Sequence, residues 1–311
     1  MIALLFPGQG SQAVGMGCDL CDTYPAAREV FDEASEVLGY DLSGLCRLGS
    51  AEELARTEIT QPALLAHSVA ALRVLLAGGL TFAAALGHSL GEYTALVATG
   101  ALGLRDALVL VKARGEAMAA AAARNPGAMV AVLGLEADAV EELCAGLDDV
   151  WPANFNCPGQ VVVSCADGAA AALEEAAAAA GARRVVRLAV GGAFHSPLLA
   201  PAAAALREPL AAVAWSQPSP AFFSTCSAAF EHDGFAALLE RQLVSPVRFE
   251  ASIRRLAAAG YNAYLEVGPG AVLTGLVRRI DGSAATATAG DVGSLAGALD
   301  GGWITTGEAD R

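Results

Sequence analysis

Charge is scarce in this chain, and lysine scarcest of all. Only 17% of the 311 residues are Asp, Glu, Lys or Arg, and Lys112 is the one lysine, so arginine carries almost all the positive charge. A formal net charge of −14 leaves no broad basic surface, which argues against nucleic acid or an anionic membrane as the main partner. The apolar stretches are alanine-rich and broken by Gly, Arg or Glu short of the roughly 18 residues that a membrane span needs. "MIALLFPGQG" at the start has neither a basic region nor a cleavage site, so a cytoplasmic protein is expected. The patterns of disulfides and zinc sites are missing as well. Seven cysteines, odd in number and scattered, read as reduced thiols, and the C-x-x-C pair Cys18 and Cys21 lacks the second pair or histidine that would complete a metal site.

In place of charge there is apolar bulk, 55% of the chain, enough to bury a large core as one big domain or one domain with an insertion. The N-terminal "IALLFPGQGSQ" reads as a strand entering a Gly/Pro loop. Helices follow at about Pro25 to Leu38 and Gln61 to Ala77, then a short apolar strand from Thr81 to Leu86, the sequence "GHSLGEY", and a helix from Glu92 to Ala98. Near the end, "NAYLEVGPGAVLTGLVRRI" repeats the pattern of strand, glycine loop and helix. Such alternation predicts a parallel sheet with helices on its faces. From Ala128 to Val190 the order is instead β-α-β-β-α-β, a ferredoxin-like unit. The expected α/β architecture is therefore a discontinuous large domain (1–127 and 191–287), an inserted ferredoxin-like subdomain (128–190) and a C-terminal helix or tail (288–311), loose in its last residues. A crevice between the two lobes is a natural substrate site. The arginine clusters Arg183-Arg184-x-x-Arg187 and Arg278-Arg279 are solvated surface or local docking patches.

Gly87 to Gly91 spells Gly-x-Ser-x-Gly. Between a strand and a helix, this places Ser89 on a sharp turn whose glycines remove colliding Cβ atoms, as a nucleophile requires. A serine hydroxyl needs a base, and the chain has four histidines. His88 adjoins the serine but points elsewhere on such a turn and would brace it. His67 lies inside an apolar helix, and His232 in a charged loop. His195 lies in "GGAFHSPLL", a glycine-led loop after a strand and before a helix, and it follows the serine in the chain order of sheet-based serine enzymes; it is the candidate base. The oxyanion formed by serine attack needs backbone N–H donors: Leu90 from the turn itself, and Gln9 from the loop "PGQGSQ". Counting 1.5 Å per residue up one helix and down the next returns Arg114 to the level of Ser89, on the inward face with Ala107, Val111 and Met118. An inward guanidinium needs an anion. Either a substrate carboxylate or a salt bridge from another segment would satisfy it.

Taken together, "FPGQGSQ", "TQPAL", "GHSLGEY", "RGEAM", "NFNCPGQVV", "GAFHSP", "RQLVSPVRF" and "EVGPG" resemble, in order and as far as about Ile280, the malonyl-coenzyme A:acyl carrier protein transacylases. The resemblance implies a hydrolase-like α/β large domain with the ferredoxin-like lobe. Ser89 would be the nucleophile, His195 its base, Gln9 and Leu90 the oxyanion donors, and Arg114 the carboxylate clamp. Gln242 would orient the histidine through an oxygen, in place of an aspartate. His88, Asn154 and Asn156 would line or brace the pocket, and Phe194, before the base, goes with malonyl among synthase-embedded relatives. Cys157 stands where members often have serine. The implied reaction moves malonyl from malonyl-CoA to the phosphopantetheine thiol of an acyl carrier protein, for fatty-acid or polyketide synthesis, in a cytoplasmic monomer with no metal or redox cofactor, the coenzyme A thioester being substrate. Two alternatives remain: a stand-alone polyketide-synthase acyltransferase using another carboxylated extender, and a serine acyl-thioesterase.

Overall fold

The structure, a computed structural model, describes residues 1–301 and 303. Ten strands run through them: β1 (Ile2–Phe6), β2 (Ala84–Gly87), β3 (Gly127–Leu133), β4 (Val150–Cys157), β5 (Gln160–Ala166), β6 (Arg184–Arg187), β7 (Ala221–Ser224), β8 (Ala229–Glu231), β9 (Ala263–Val267) and β10 (Ala285–Ala289). They form two sheets, β10-β9-β1-β2-β7-β8 and β4-β5-β3-β6.

The large sheet is parallel from β10 to β7. Its central strands are apolar throughout because helices cover both faces: Ala3, Leu4, Leu5 and Phe6 of β1 and all of β2 are buried. β2 starts at Ala84, not Thr81, since only Ala84 onward pairs with β1. The fold class is thus α/β, with one departure from an all-parallel sheet. β8 turns back antiparallel on β7 and closes one edge.

The small sheet is antiparallel in all three pairings. Renumbered within the lobe, its strand order is 2-3-1-4, the arrangement of a ferredoxin-like unit. Its strands lie within 127–187. Two backbone bonds stitch it to the large domain: Phe155 N donates to Val247 O at 2.8 Å, and Val247 N donates to Ala153 O at 2.8 Å. Arg279 adds a brace, donating to Gln160 Oε1 (2.6 Å) and Pro158 O (2.8 Å) on the β4–β5 turn, so this member of the arginine clusters is structural.

Two boundaries differ from the sequence reading. The helix expected from Gln61 runs from Thr57 to Ala77; Pro62, which resembles a first-turn signal, sits in its sixth position. That helix, at 21 residues and mean hydropathy 1.4, is long and apolar enough to cross a bilayer, contrary to the expectation from the broken apolar runs, yet 83% of the apolar window is buried inside the protein. It is the core helix against which the Ser89 side of the sheet packs. Residues 285–289 form β10, which extends the sheet, and the C-terminal helix expected within 288–311 runs from Val292 to Asp300, with Leu295 and Ala298 buried in the main core. Apart from Gly301 and Trp303, the expected loose end lies outside the described residues.

Candidate active site

The Ser89 turn is built by exclusion. A Cβ on Gly87 would lie 1.9 Å from the Gly91 carbonyl carbon, and one on Gly91 would lie 2.0 Å from Phe6 O, so strand, turn and helix approach each other only with glycine at both positions. Between them Ser89 has φ 53°, a left-handed conformation uncommon outside glycine and a sign of strain held by its surroundings. Ser89 thus stands between the end of β2 and the start of the helix Gly91–Ala98.

His195 meets it from the loop after the small lobe. Its own φ is 57°, and the loop is pinned by Ser196 Oγ donating to Ala193 O (2.7 Å) and Ser164 Oγ of β5 donating to Phe194 O. Nε2 lies 2.8 Å from Ser89 Oγ, while Nδ1 lies 3.1 Å from two carbonyls, Gln242 O and Ser245 O. Carbonyls only accept, so Nδ1 carries the hydrogen and Nε2 is the lone pair facing the serine. Burial, with Arg114 and His88 adding to it, pulls the imidazole down to about 3, which keeps it neutral at working pH. The orienting oxygen of Gln242 is therefore its main-chain carbonyl, shared with that of Ser245. The Gln242 side chain does something else.

On the far side of Ser89, the backbone amides of Gln9 and Leu90 are uncommitted in the turns among the described residues, and both residues line the cleft beside the serine. Arg114 is inward, only 1% exposed, with its guanidinium 5.6 Å from the Tyr93 ring centroid. Nη1 donates to Gln61 Oε1 (2.8 Å), and Nη2 to Ser89 Oγ (3.0 Å) and Gln242 Oε1 (3.1 Å). Among the described residues no carboxylate pairs with it directly. Of the two anions considered from sequence, the salt bridge from another segment is not there.

A family model described as acyl transferase domain matches residues 3–299. The chain belongs to this acyltransferase family. It is 44% identical over 286 residues to the malonyl CoA-acyl carrier protein transacylase of Bacillus subtilis, covering 90% of each chain, and 42% identical to that of Escherichia coli K12, covering 96% of this chain and 98% of the other. Among solved structures it is similar to a malonyl-transacylase in complex with its type II PKS acyl-carrier protein (TM-score 0.94, 40% identity, covering 96% and 99% of the two chains) and to the MCAT of Streptococcus pneumoniae (TM-score 0.93, 43% identity, covering 97% and 100%).

In this acyltransferase the cleft is small, about 90 Å³, and is lined by Gln9, His88, Ser89, Leu90, Arg114, Asn154, Phe194 and His195 together with Met118 and Met129. A larger hollow of about 530 Å³ adjoins it, sharing Val190 and Phe194. Asn154 lines the cleft, and its buried Oδ1 has no hydrogen-bond partner among the described residues. Asn156 does not line the cleft. Its Oδ1 lies 3.0 Å from His88 Nε2 and so fixes the His88 ring, which burial holds neutral, from across the lobe boundary. His67 is buried and held down to about 4 by desolvation, and His232 is exposed; neither reaches Ser89. Cys18 and Cys21 are free thiols, and no His, Cys, Asp or Glu group among the described residues is gathered for a metal ion.

Three contributors escaped the sequence reading: Gln61, Ser245 and Glu92. Gln61 and Ser245 stand inside the blocks "TQPAL" and "RQLVSPVRF", but their partners are 53 and 50 residues away. Glu92 offered a signal, as a carboxylate in the first turn of a helix that buries Gly91 through Leu96 entirely. Its Oε1 accepts from Ser224 Oγ (2.9 Å), Thr225 N (2.5 Å), Thr225 Oγ1 (2.9 Å) and Cys226 N (3.2 Å), and its Oε2 from Gln242 Nε2 (2.6 Å). Burial pushes its carboxyl upward, and these donors oppose that push.

Proposed function

We propose that this acyltransferase moves a malonyl group from malonyl-CoA to the phosphopantetheine thiol of an acyl carrier protein through a Ser89 acyl-enzyme. One observation carries the reading: a buried guanidinium that no carboxylate among the described residues touches lies 3.0 Å from Ser89 Oγ. Leaving such a charge unpaired costs several kcal/mol, and a carboxylate at the end of a short acyl group offsets that cost through the planar fork. The names of the relatives agree with it.

In the first half-reaction Ser89 Oγ attacks the thioester carbonyl as its proton passes to His195 Nε2, and the oxyanion rests on the N–H groups of Gln9 and Leu90. Collapse breaks the C–S bond, and His195 returns the proton to the departing thiolate. In the second, the carrier thiol gives its proton to the same nitrogen, its sulfur attacks the acyl-serine, and the C–Oγ bond breaks with the proton restored to Ser89. Arg114 holds the acyl carboxylate through both halves, so the carbonyl keeps one position. The thioester's arm would lie in the larger hollow, past Val190 and Phe194.

A cytoplasmic monomer without metal or redox cofactor completes the reading, and the seven unpaired thiols support a reducing setting. The test is coenzyme A release from malonyl-CoA with and without phosphopantetheinylated carrier protein. Carrier-dependent turnover with malonyl recovered on the carrier is expected. Equal release in its absence would make the protein a thioesterase.

A further inference from the structure

Among the described residues Arg114 has no direct counter-ion, yet a buried carboxylate stands one residue further out. The Gln242 side chain lies between them. Its Nε2 donates both hydrogens, to Ser89 O (3.0 Å) and Glu92 Oε2 (2.6 Å), and its Oε1 accepts from Arg114 Nη2 (3.1 Å). All three residues are at most 1% exposed.

We propose that Glu92 is the positioning residue for the carboxylate clamp: through the Gln242 amide it fixes the guanidinium's place and balances its charge without itself touching the guanidinium. This rests on the reading of Arg114 given above.

The polarity of each partner makes the arrangement directional. Arg114 only donates, the Ser89 carbonyl only accepts, and the Glu92 oxygen facing Nε2 must accept because the same nitrogen serves the Ser89 carbonyl. Only one orientation of the Gln242 amide meets all three, with its oxygen toward the guanidinium. A carboxylate in direct contact with Arg114 would compete with the substrate for the fork. One held an amide's length away still offsets the buried positive charge, because attraction across a dry interior reaches that far. The other four donors to Glu92 come from Ser224, Thr225 and Cys226 at the end of β7, so the charge is fixed to the sheet and not to a mobile loop.

Glu92→Gln keeps the shape and breaks this logic. With its oxygen on the β7 donors, the new amide presents an NH2 to Gln242 Nε2. Two donors cannot face each other, so either the Gln242 amide flips, turning an NH2 toward Arg114, or the bond is lost.

The experiment measures acylation by malonyl-CoA and by acetyl-CoA, as the ratio of the two kcat/KM values, for wild type, Arg114→Ala, Glu92→Gln, Gln242→Glu and Gln242→Leu, with circular dichroism and thermal melts on each. For Glu92→Gln we expect a native spectrum and a malonyl-to-acetyl ratio reduced at least tenfold. Gln242→Glu should also reduce the ratio, by placing a carboxylate directly on the guanidinium. A role confined to packing would lower both rates together and leave the ratio alone. If the ratio collapses in Arg114→Ala but holds in folded Glu92→Gln, the proposal for Glu92 is overturned and the clamp stands. If it holds in Arg114→Ala as well, the clamp itself is wrong. Should Glu92→Gln not fold, the ratio in Gln242→Leu decides, because that change cuts the link and leaves Glu92 in place: a fall supports the relay, and an unchanged ratio overturns it.

Discussion

Two turns at the same end of the large sheet use the same local vocabulary to different ends. After β2 the chain reads "GHSLGE", and β9 ends in "EVGPG". Each is a strand, a glycine turn and a helix, and each buries a glutamate completely, Glu92 in one and Glu266 in the other. Glu266 spends its oxygens nearby, accepting from Leu273 N (3.0 Å) and Thr274 N (2.8 Å) seven and eight residues on, where it satisfies the open amides of the helix Val272–Ile280. Glu92 spends its oxygens on residues 132 to 150 positions away, and through one of them reaches the guanidinium beside Ser89. A buried carboxylate closes a helix end where its bonds are local. Where they are long-range, it organises a site.

Breaking the first turn should cost chemistry. Ser89→Ala is expected to abolish the acyl-enzyme and to lower transfer by about four orders of magnitude or more, read as loss of carrier-bound malonyl. Gly91→Ala attacks the same turn sterically. With a Cβ 2.0 Å from Phe6 O the strand and helix must part, so a loss of about 1–3 kcal/mol is expected in denaturant melts, along with the activity. Breaking the second turn should cost stability alone: Glu266→Gln weakens two charge-assisted bonds at a helix N-terminus, about 1–2 kcal/mol, and the malonyl-to-acetyl ratio should not move. The smallest effect expected is that of pH. Because burial lowers His195 to about 3 from an ordinary value near 6.5, its neutral, proton-accepting form persists as pH falls from 8 to 5. Single-turnover acylation should be nearly flat over that window, whereas a halving near pH 6.5 would show a solvated histidine and undo the tautomer argument.

The same contrast explains what could be read before any coordinates. Ser89, Leu90 and Arg114 obey local rules: a glycine spacing sets the turn, and 1.5 Å per residue brings an inward arginine back to it. The alternation of strands and helices gave the two-lobed α/β architecture, because apolar runs and helical periods are properties of short windows. The side chain of Gln242, the carbonyl of Ser245 and the reach of Glu92 belong to tertiary contacts across 50 residues or more, and no window contains them. Three strands went unnoticed: β7, four residues long between β2 and β8, and the two at the edges. "AFE" in β8 and "ATATA" in β10 are short, half-exposed and weakly apolar, and only their pairing with β7 and β9 makes them strands.

Intact-mass measurement after brief exposure to equal malonyl-CoA and acetyl-CoA tests the central arrangement most directly. The wild-type protein should carry a malonyl adduct lost in Ser89→Ala, while Arg114→Ala should lose that preference. An acetyl adduct on the wild-type protein, or an undiminished malonyl preference in Arg114→Ala, would contradict a site built around a buried guanidinium beside Ser89.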